Sequence, residues 1–242
     1  MFLCIQFRFN IYNTNSIITV DTNSDKITGT LKIRQIRELT PTAYILRFDR
    51  NNIPFRAGQH ILLGRKDDLQ AREYSVYSAE HDEYFEVLVK EVQDGMVSKQ
   101  LKKLQPGDPV NFENPVGYFV IRDEDLSNRK FLFIASGTGI SPFHSFVKSY
   151  PGLDYKLLHG VRFSSESYEK EAYDKNRIIL CTSRDNNGDY HGRVTDYLKE
   201  HPVTDKNTLC YFCGNCEMIH EAYDILLKQG IPSENLFAEV YF

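Results

Sequence analysis

The arrangement of apolar and turn-forming residues changes near residue 125, and this change predicts two domains of different architecture. Before it, short runs rich in β-branched and aromatic residues are separated by turn-forming stretches such as RNNIP, QPGDP and NPVG. About six short strands at such intervals are typical of an antiparallel sandwich or a small closed barrel. The predicted strands include LKIRQIREL, AYILRFD, GQHILLG, YFEVLVKEV and DPVNFENP. One helix, MVSKQLKKL, interrupts them, because Val97, Leu101 and Leu104 recur at helical spacing.

After residue 125 strands and helices alternate. KFLFIAS has the continuous apolar character of a buried strand, and GTGISP then leads into a helix from about Phe143. Further strands are expected at YKLLHGV, RIILCTS, TLCYFCG and NLFAEVYF, and further helices at SYEKEAYD, GRVTDYLKEH and EMIHEAYDILLKQG. This alternation predicts parallel strands joined by crossover helices, an α/β layer fold. The face of the last helix that meets the core is expected to carry Met218, Ala222, Ile225 and Gln229.

A chain of 242 residues is long enough for two domains of ordinary size. We therefore expect a β-barrel or sandwich domain over residues 26–125 and an α/β domain over residues 126–242. Residues 1–25 match neither pattern and are expected to form an N-terminal extension.

Composition restricts the classes of partner. With 41% hydrophobic and 26% charged residues, the chain has the composition of a soluble globular protein. Its net charge of −4 argues against nucleic acid as the main partner, so an anion site requires a local basic cluster. No apolar run approaches the roughly 20 residues that span a bilayer, and MFLCIQFRFNIYNTN lacks the positive start of a signal peptide. We expect no membrane insertion and a cytoplasmic location.

The cysteines form a C-x2-C-x2-C run at Cys210, Cys213 and Cys216, which invites a metal-site interpretation. Iron–sulfur and structural zinc sites usually need four ligands, and no cysteine follows Cys216. The other two, Cys4 and Cys181, lie far away in the sequence. The odd count also argues against a disulfide framework and favours a reducing compartment. We expect no metal, a buried Cys210, and either packing or a mildly acidified thiol at Cys216.

Three short motifs could bind a cofactor. REYS, from Arg72 to Ser75, offers a bidentate phosphate ligand, an aromatic face and a hydroxyl donor, although alone it fits solvent-facing packing equally well. DGMVS opens the first helix, where backbone N–H groups suit a pyrophosphate, or where Asp94 simply caps an ordinary junction. In ASGTGISP, Gly137 and Gly139 permit a close approach of ligand to backbone, but Pro142 departs from the G-x-G-x-x-G dinucleotide pattern.

In their order along the chain, REYS, DGMVS, SGTGISP, CGN and the C-terminal EVYF resemble the ferredoxin/flavodoxin–NADP reductases, in particular the shorter bacterial type. The resemblance extends over about residues 26–242. It implies an antiparallel Greek-key β-barrel that binds FAD, followed by an α/β domain with a parallel sheet that binds NADP.

The resemblance also implies roles for individual residues. Arg72 would hold the FAD pyrophosphate, Tyr74 would pack against the flavin, and Ser75 would hydrogen-bond near the flavin N5. Glu239 would be the carboxylate near N5, unless it is a partly exposed strand residue, and Cys213 would border the nicotinamide pocket. Ser75, Cys213 and Glu239 are thus the expected catalytic residues. The remaining FAD contacts would be Glu73, Leu88, Val89, Lys90, Glu91, Met96, Val97, Ser98, Tyr241 over the flavin face and Phe242 near the adenine. Thr138 would lie where the two cofactors meet, and Gly137, Gly139 and Gly214 complete the cofactor-binding set.

The choice between NADPH and NADH depends on positive groups for the 2′-phosphate. The expected ends of the second and third parallel strands carry Arg162, Ser183, Arg184 and Arg193. Each arginine alone could be an ordinary solvated side chain, but their shared placement resembles the NADP pocket of this family and favours NADPH. His159 is expected to be structural, because no other histidine or carboxylate stands at a catalytic or metal-ligand spacing from it.

The resulting hypothesis is a flavoenzyme that exchanges electrons between NADPH and ferredoxin or flavodoxin, with hydride passing between nicotinamide C4 and flavin N5. Its C-terminal ring would have to move from the flavin face that nicotinamide needs. A flavin reductase or an oxygenase reductase on the same scaffold stays open, as does the iron–sulfur electron-transfer subunit of a dihydroorotate dehydrogenase. An alternative of a different class is a cysteine-based metal or redox sensor, which an absorbance spectrum would separate from a flavoprotein.

Overall fold

The computed structural model describes residues 18–21, 26–66, 68, 70–93 and 95–241. The first part of the chain forms an antiparallel sheet in the order β5-β4-β7-β2-β3-β6, and β1 pairs with the first residues of β2. A bridge between Val76 and Val87 and a hydrogen bond from Tyr77 N to Glu86 O, 2.7 Å long, join the two ends of the sheet. The sheet is therefore the predicted Greek-key barrel. Its strands are β1 (Ile18–Asp21), β2 (Lys26–Thr40), β3 (Ala43–Asp49), β4 (His60–Arg65), β5 (Ala71–Ser75), β6 (Tyr84–Lys90) and β7 (Pro109–Val116).

The second part of the chain is the predicted α/β layer with a parallel sheet in the order β11-β10-β9-β8-β12-β13. Its strands are β8 (Lys130–Ser136), β9 (Asp154–Val161), β10 (Ile178–Thr182), β11 (Tyr190–His191), β12 (Leu209–Gly214) and β13 (Leu236–Val240). The helices are α1 (Met96–Lys102) on the barrel, and α2 (Ser141–Ser149), α3 (Val194–Glu200) and α4 (Cys216–Lys228) in the α/β layer. Among the described residues, no helix is long and apolar enough to cross a bilayer.

The helix predicted at SYEKEAYD is wrong. This segment, residues 167–174, contains one short 3₁₀ turn at Lys170–Ala172, and a second turn at Ser164–Glu166 precedes it. Between them Tyr168 and Glu169 have φ angles of +40° and +59°, which a right-handed helix does not tolerate. Tertiary contacts oppose the local helix propensity, because Tyr168 is buried and Glu169 forms an ion pair with Arg37 of β2.

Two further helix details differ from expectation. A 3₁₀ turn at Gly137–Ile140 leads directly into α2, which begins at Ser141 rather than near Phe143. On α4 the buried residues are Ile219, Ala222 and Leu226, so only Ala222 of the predicted face is fully buried. Met218 and Ile225 of the predicted face are partly buried and pack against the same hydrophobic core, where α4 contacts β12, β13 and α3.

Part of the predicted N-terminal extension belongs to the barrel sheet. β1 pairs antiparallel with β2, with Ile18 opposite Gly29 and Asp21 opposite Lys26. Residues 1–17 and 22–25, and also Asp94 and Phe242, lie outside the described residues. The N-cap of α1 is Gly95.

A shared interior joins the barrel to the α/β layer. The rings of Tyr77 and His144 stack at 3.7 Å between centroids, and the His144 Nδ1 lies 2.7 Å from the Tyr77 carbonyl oxygen. Ser145 Oγ donates to the Ser78 carbonyl oxygen at 2.7 Å. Burial lowers the pKa of His144 to about 4, so this interface contains a neutral imidazole at physiological pH. These contacts hold the segment between β5 and β6 against α2 of the α/β layer.

Candidate functional site

A cleft of about 680 Å³ opens at the carboxyl ends of the parallel strands, on the side that faces the barrel. Ligands of open α/β sheets bind at this edge, because the loops after the strands converge there. The structure brings most of the nucleotide-side residues of the sequence hypothesis together around it. The cleft is lined by Lys90, Gly137, Thr138, Arg162, Ser183, Arg184, Arg193, Gly214 and Tyr241, among others.

The glycines at the cleft serve two different purposes. A Cβ on Gly139 would lie 2.3 Å from the Cys213 carbonyl oxygen, and one on Gly214 would lie 2.3 Å from Ser136 Oγ. These two glycines therefore allow the turns after β8 and β12 to pack against each other. Gly137 has a φ of +53° and nothing within 4 Å of its Cβ position, so its backbone is open to the cleft. This open, Cβ-free edge fits a nucleotide that approaches the main chain.

The three expected catalytic residues converge from three strands of the two sheets. Ser75 is buried at the end of β5, and its Oγ donates to Glu239 Oε2 on β13 at 2.9 Å. The Tyr241 hydroxyl in turn donates to Ser75 Oγ at 2.7 Å, and the Tyr241 N–H donates to the Gly214 carbonyl oxygen at 2.9 Å. Cys213 Sγ, at the end of β12, lies 4.0 Å from Glu239 Oε2. The result is a hydrogen-bonded group at the mouth of the cleft.

The thiol and the phenol of this group are neutral at physiological pH. Burial raises the pKa of Cys213 well above its usual value, and burial also raises the pKa of Tyr241. Cys213 is fully buried and does not line the cleft, whereas its neighbour Gly214 does. Glu239 is therefore the one anionic side chain among Ser75, Cys213, Glu239 and Tyr241.

Comparison with known proteins identifies the family. The chain matches the family models described as Oxidoreductase FAD-binding domain, over residues 30–121, and Oxidoreductase NAD-binding domain, over residues 133–224. It is 32% identical over 241 residues to the flavodoxin/ferredoxin–NADP reductase of Rhodobacter capsulatus, an alignment that covers 84% of this chain and 88% of that protein. The chain belongs to the ferredoxin/flavodoxin–NADP reductase family. It is an oxidoreductase whose cofactors are FAD and NADP.

Two further known proteins are similar to this reductase. A crystal structure of a ferredoxin NADP+ reductase from Neisseria gonorrhoeae with bound FAD and NADP matches with a TM-score of 0.79 and 25% sequence identity, covering 89% of this chain and 99% of that one. The toluate 1,2-dioxygenase electron transfer component of Pseudomonas putida is 25% identical over 222 residues. That match covers 86% of this chain, which spans 65% of the length of the dioxygenase component.

The side chains of the REYS strand differ in exposure. Arg72 is exposed, and its Nη1 donates to the neighbouring Ala71 carbonyl oxygen at 2.8 Å, with no ion pair to any of the residues that the structure describes. Tyr74 is half-buried against the barrel core, and burial raises its pKa to about 12 despite the nearby Arg72. Glu73 is exposed, and its Oε1 lies 3.9 Å from His60 Nε2.

The residues expected at the FAD in and beside β6 and α1 lie in three different environments. The side chains of Leu88, Val89 and Val97 lie in the hydrophobic cores, so a cofactor reaches them only through the backbone. Ser98 is buried, with its Oγ 3.2 Å from Val92 N, whereas Met96 is 56% exposed. The remaining two residues form ion pairs with charged side chains. Glu91 pairs with Lys102 at 3.4 Å, and Lys90 pairs with Glu166 at 3.2 Å.

Sequence reasoning missed Glu166, which links the two domains beside the cleft. Its Oε1 lies 2.6 Å from Arg162 Nη2 and 3.2 Å from Lys90 Nζ, so it connects the α/β layer to β6 of the barrel. Burial alone would raise the pKa of Glu166, but the two cations outweigh burial and lower it to about 2. Arg162 is thus already paired with an anion, unlike Arg184 and Arg193, which are exposed. Among the described residues, neither of these two forms an ion pair within 4 Å, but Glu221, which also lines the cleft, is near enough to Arg193 for that charge to help lower the pKa of Glu221.

Replacing Glu166 with glutamine is expected to lower stability at neutral pH and to have a smaller effect in acid. Because the folded-state pKa lies below the ordinary 4.5, the carboxylate stabilises the fold above about pH 4.5 and loses this contribution as the pH falls toward 2. We expect E166Q to reduce the free energy of unfolding by roughly 1–3 kcal/mol at about pH 7, and by less than half as much near pH 3. Urea unfolding at the two pH values measures the difference. Glu124→Gln, whose side chain is 73% exposed, is the matched control. An E166Q deficit of equal size at both pH values would contradict the assignment.

His159 supports the loop that lines the cleft, as the structural role predicted for it requires. The residue is completely buried, and its Nε2 lies 2.9 Å from the Gly137 carbonyl oxygen. Burial lowers its pKa to about 4, so the ring is neutral at physiological pH and holds the Gly137 turn in place.

The cysteine run has no companion ligands in the part of the chain that the structure describes. There, no three histidine, cysteine, aspartate or glutamate side chains are placed to hold a metal ion. Cys210 and Cys181 are buried free thiols, and burial raises the pKa of each to about 12. Cys216 begins α4 and is half-buried, with its Sγ 3.8 Å from His220 Nδ1.

Proposed function

We propose that this reductase exchanges electrons between NADPH and a small one-electron carrier protein, either a ferredoxin or a flavodoxin. The observation that carries the proposal is the hydrogen-bonded group of Ser75, Glu239 and Tyr241 at the mouth of a cleft lined by arginines. FAD, when bound, supplies hydride acceptance from NADPH and one-electron transfer to the carrier. The protein supplies the position of the two cofactors and the handling of the proton.

Ser75, Glu239 and Tyr241 have distinct roles in this proposal. Ser75 Oγ is held between a donor, the Tyr241 hydroxyl, and an acceptor, Glu239, so its hydrogen-bond direction is fixed before a cofactor binds. Glu239 is the group that accepts a proton from this network. Tyr241 lines the cleft, and its ring moves aside when the nicotinamide enters. Its backbone N–H bond to Gly214 keeps the main chain in register during that movement.

NADPH is the proposed donor because two exposed arginines are available for its 2′-phosphate. Arg184 and Arg193 lie on the cleft wall beside Ser183, whereas the charge of Arg162 is balanced by Glu166. Arginine recognises phosphate in a bidentate manner, which a free guanidinium can do and a paired one does less well. The proposed cofactor domains are residues 26–125 for FAD and 126–242 for NADP. The end of β7 at Val116 and the start of β8 at Lys130 support this division.

A second candidate is the reductase component of an oxygenase. The match to the toluate 1,2-dioxygenase electron transfer component of Pseudomonas putida favours it. Its chemistry at the cleft would be the same, and only the acceptor would differ.

The test is to add NADPH anaerobically to the FAD-loaded protein and to follow the visible flavin absorbance. We expect the flavin to bleach, and its colour to return when oxidised ferredoxin or flavodoxin is added. Free flavin and an oxygenase ferredoxin serve as competing acceptors and separate the two candidates. A protein that binds no flavin, or whose bound flavin is not reduced by NADPH, would contradict the proposal.

A further inference from the structure

His60 occupies a position beside the catalytic group that the family motifs do not account for. It opens β4 and pairs across the sheet with Ser75 of β5. Its Nδ1 lies 3.6 Å from Glu239 Oε1, while Ser75 occupies the other carboxylate oxygen, Oε2. Its Nε2 lies 3.9 Å from Oε1 of Glu73. The two imidazole nitrogens thus face two different carboxylates, one inside the site and one outside it.

These contacts form a path from the interior to water. Ser75 is 3% exposed, the side chains of Glu239 and His60 are 19% and 21% exposed, and that of Glu73 is 70% exposed. Exposure therefore rises along the sequence of contacts Ser75, Glu239, His60, Glu73. Both spacings at the imidazole exceed a hydrogen bond, and catalytic contacts in ligand-free enzymes are commonly long before they tighten. Gly117 allows the close packing at the ring, because a Cβ there would lie 3.1 Å from His60 Nδ1.

The proposed reaction needs such a path. When NADPH reduces two one-electron carriers, it yields NADP+, two reduced carriers and one proton, so one proton must leave the site in each cycle. Ser75 Oγ–H already points at Glu239, which makes Glu239 the first acceptor. Its far oxygen, Oε1, faces His60 Nδ1.

We propose that His60 is a positioning residue that acts through Glu239 and transfers its proton to solvent. The proton that Ser75 delivers to Oε2 is brought to the His60 side by rotation of the neutral Glu239 carboxyl group. The neutral imidazole, with its hydrogen on Nε2, takes this proton at Nδ1 and gives up the Nε2 proton to Glu73 or to water. Glu239 is again a carboxylate and His60 is again neutral, and exchange of the Nδ1 hydrogen with water restores the Nε2–H form before the next cycle. In the opposite direction of electron flow, the same path brings one proton in. This inference rests on the proposed function, because only a reaction that releases a proton needs the path.

The charges around His60 agree with this role. The two ionised groups that face it are Glu239 on β13 and Glu73 on β5, and the neighbouring Ser75, Cys213 and Tyr241 are neutral. The contact with Glu239 raises the pKa of His60, and burial opposes this only in part. The ordinary pKa of an imidazole lies close to physiological pH, so a histidine with carboxylates on both sides is suited to exchange protons there.

The first experiment measures the electrostatic coupling between His60 and Glu239 in the absence of turnover. The pKa of His60 is determined by NMR in the FAD-loaded, oxidised protein and in its Glu239→Gln variant. We expect the pKa of His60 to fall in E239Q, because the facing negative charge is removed. The surface residues His81 and His201 provide internal controls, and their titration should not change. An unchanged His60 pKa would overturn the proposal.

The second experiment tests proton transfer through His60 by the pH dependence of kcat. His60→Gln retains a polar side chain of similar size but cannot titrate, and His81→Gln is the matched control. In the wild type, kcat for NADPH oxidation by a one-electron carrier should rise with pH through the pKa of His60, because only the neutral ring can accept the proton. H60Q should lose this inflection and be slower by roughly ten-fold above it, and imidazole buffer should restore the rate. An H60Q variant that keeps the inflection, or that imidazole does not restore, contradicts the relay. Failure of the wild type and of H81Q to oxidise NADPH would instead contradict the proposed function.

Discussion

Replacing Ser75 with alanine is expected to slow reduction of the bound flavin by NADPH by roughly 10²-fold or more. The hydroxyl connects Tyr241 to Glu239 directly, accepting from one at 2.7 Å and donating to the other at 2.9 Å, whereas the thiol of Cys213 makes only a longer contact of 4.0 Å with Glu239. Without it the Tyr241 hydroxyl loses its acceptor and Glu239 Oε2 loses its donor. Stopped-flow measurement of flavin reduction under anaerobic conditions gives the rate. Because the change removes an interaction near the reacting atoms, we expect the loss in the rate of reduction rather than in the affinity for NADPH.

Ser75→Thr is the matched control for this experiment, because it keeps an Oγ at the same position and adds only a methyl group. It should retain much more of the rate than S75A. Thermal unfolding of both variants with FAD bound shows whether the barrel is intact, since Ser75 is buried at the end of β5. If S75A is reduced by NADPH as fast as the wild type while both remain folded, the catalytic assignment of Ser75 is wrong.

Replacing Arg184 and Arg193 together with alanine is expected to raise KM for NADPH by roughly 10²-fold and to leave KM for NADH nearly unchanged. Each arginine is exposed on the cleft wall, and a charge-assisted contact with phosphate contributes about 1.5–3 kcal/mol before solvent screening. Only NADPH carries the 2′-phosphate, so the effect should appear as a change in preference between the two nucleotides. Initial-rate kinetics with both nucleotides measure it.

Arg162→Ala separates this assignment from a general effect of positive charge. Arg162 lines the same cleft but is paired with Glu166 at 2.6 Å, so its removal should change the NADPH-to-NADH preference much less than the double variant. If R162A changes the preference as much as R184A/R193A does, the 2′-phosphate contact includes the paired arginine. If the double variant weakens NADPH and NADH equally, these arginines do not read the 2′-phosphate.

The large features of the fold follow from local patterns, which is why the sequence predicts them. Val97, Leu101 and Leu104 recur at helical spacing, and all three are buried where α1 meets the barrel. KFLFIAS reads as a buried strand because both faces of β8 are covered by other layers. The helix predicted at SYEKEAYD is wrong because tertiary contacts oppose the local pattern there. Its local pattern favours a helix, but the buried ring of Tyr168 and the ion pair between Glu169 and Arg37 impose left-handed turns.

The sequence by itself determined the order of the two domains, the family, and the residue types that a flavin and a nucleotide require. These properties can be predicted from hydrophobic periodicity, turn residues and short motifs, because each of these patterns lies within a short stretch of the chain. Only the tertiary structure decided which of those residues meet. Ser75 and Glu239 are 164 positions apart, and no local rule links Glu239 to His60 or shows that Glu166 neutralises Arg162 while Arg184 stays free. Charge pairing and proton transfer depend on distances of a few ångströms, and such distances arise only when strands from two sheets are packed side by side.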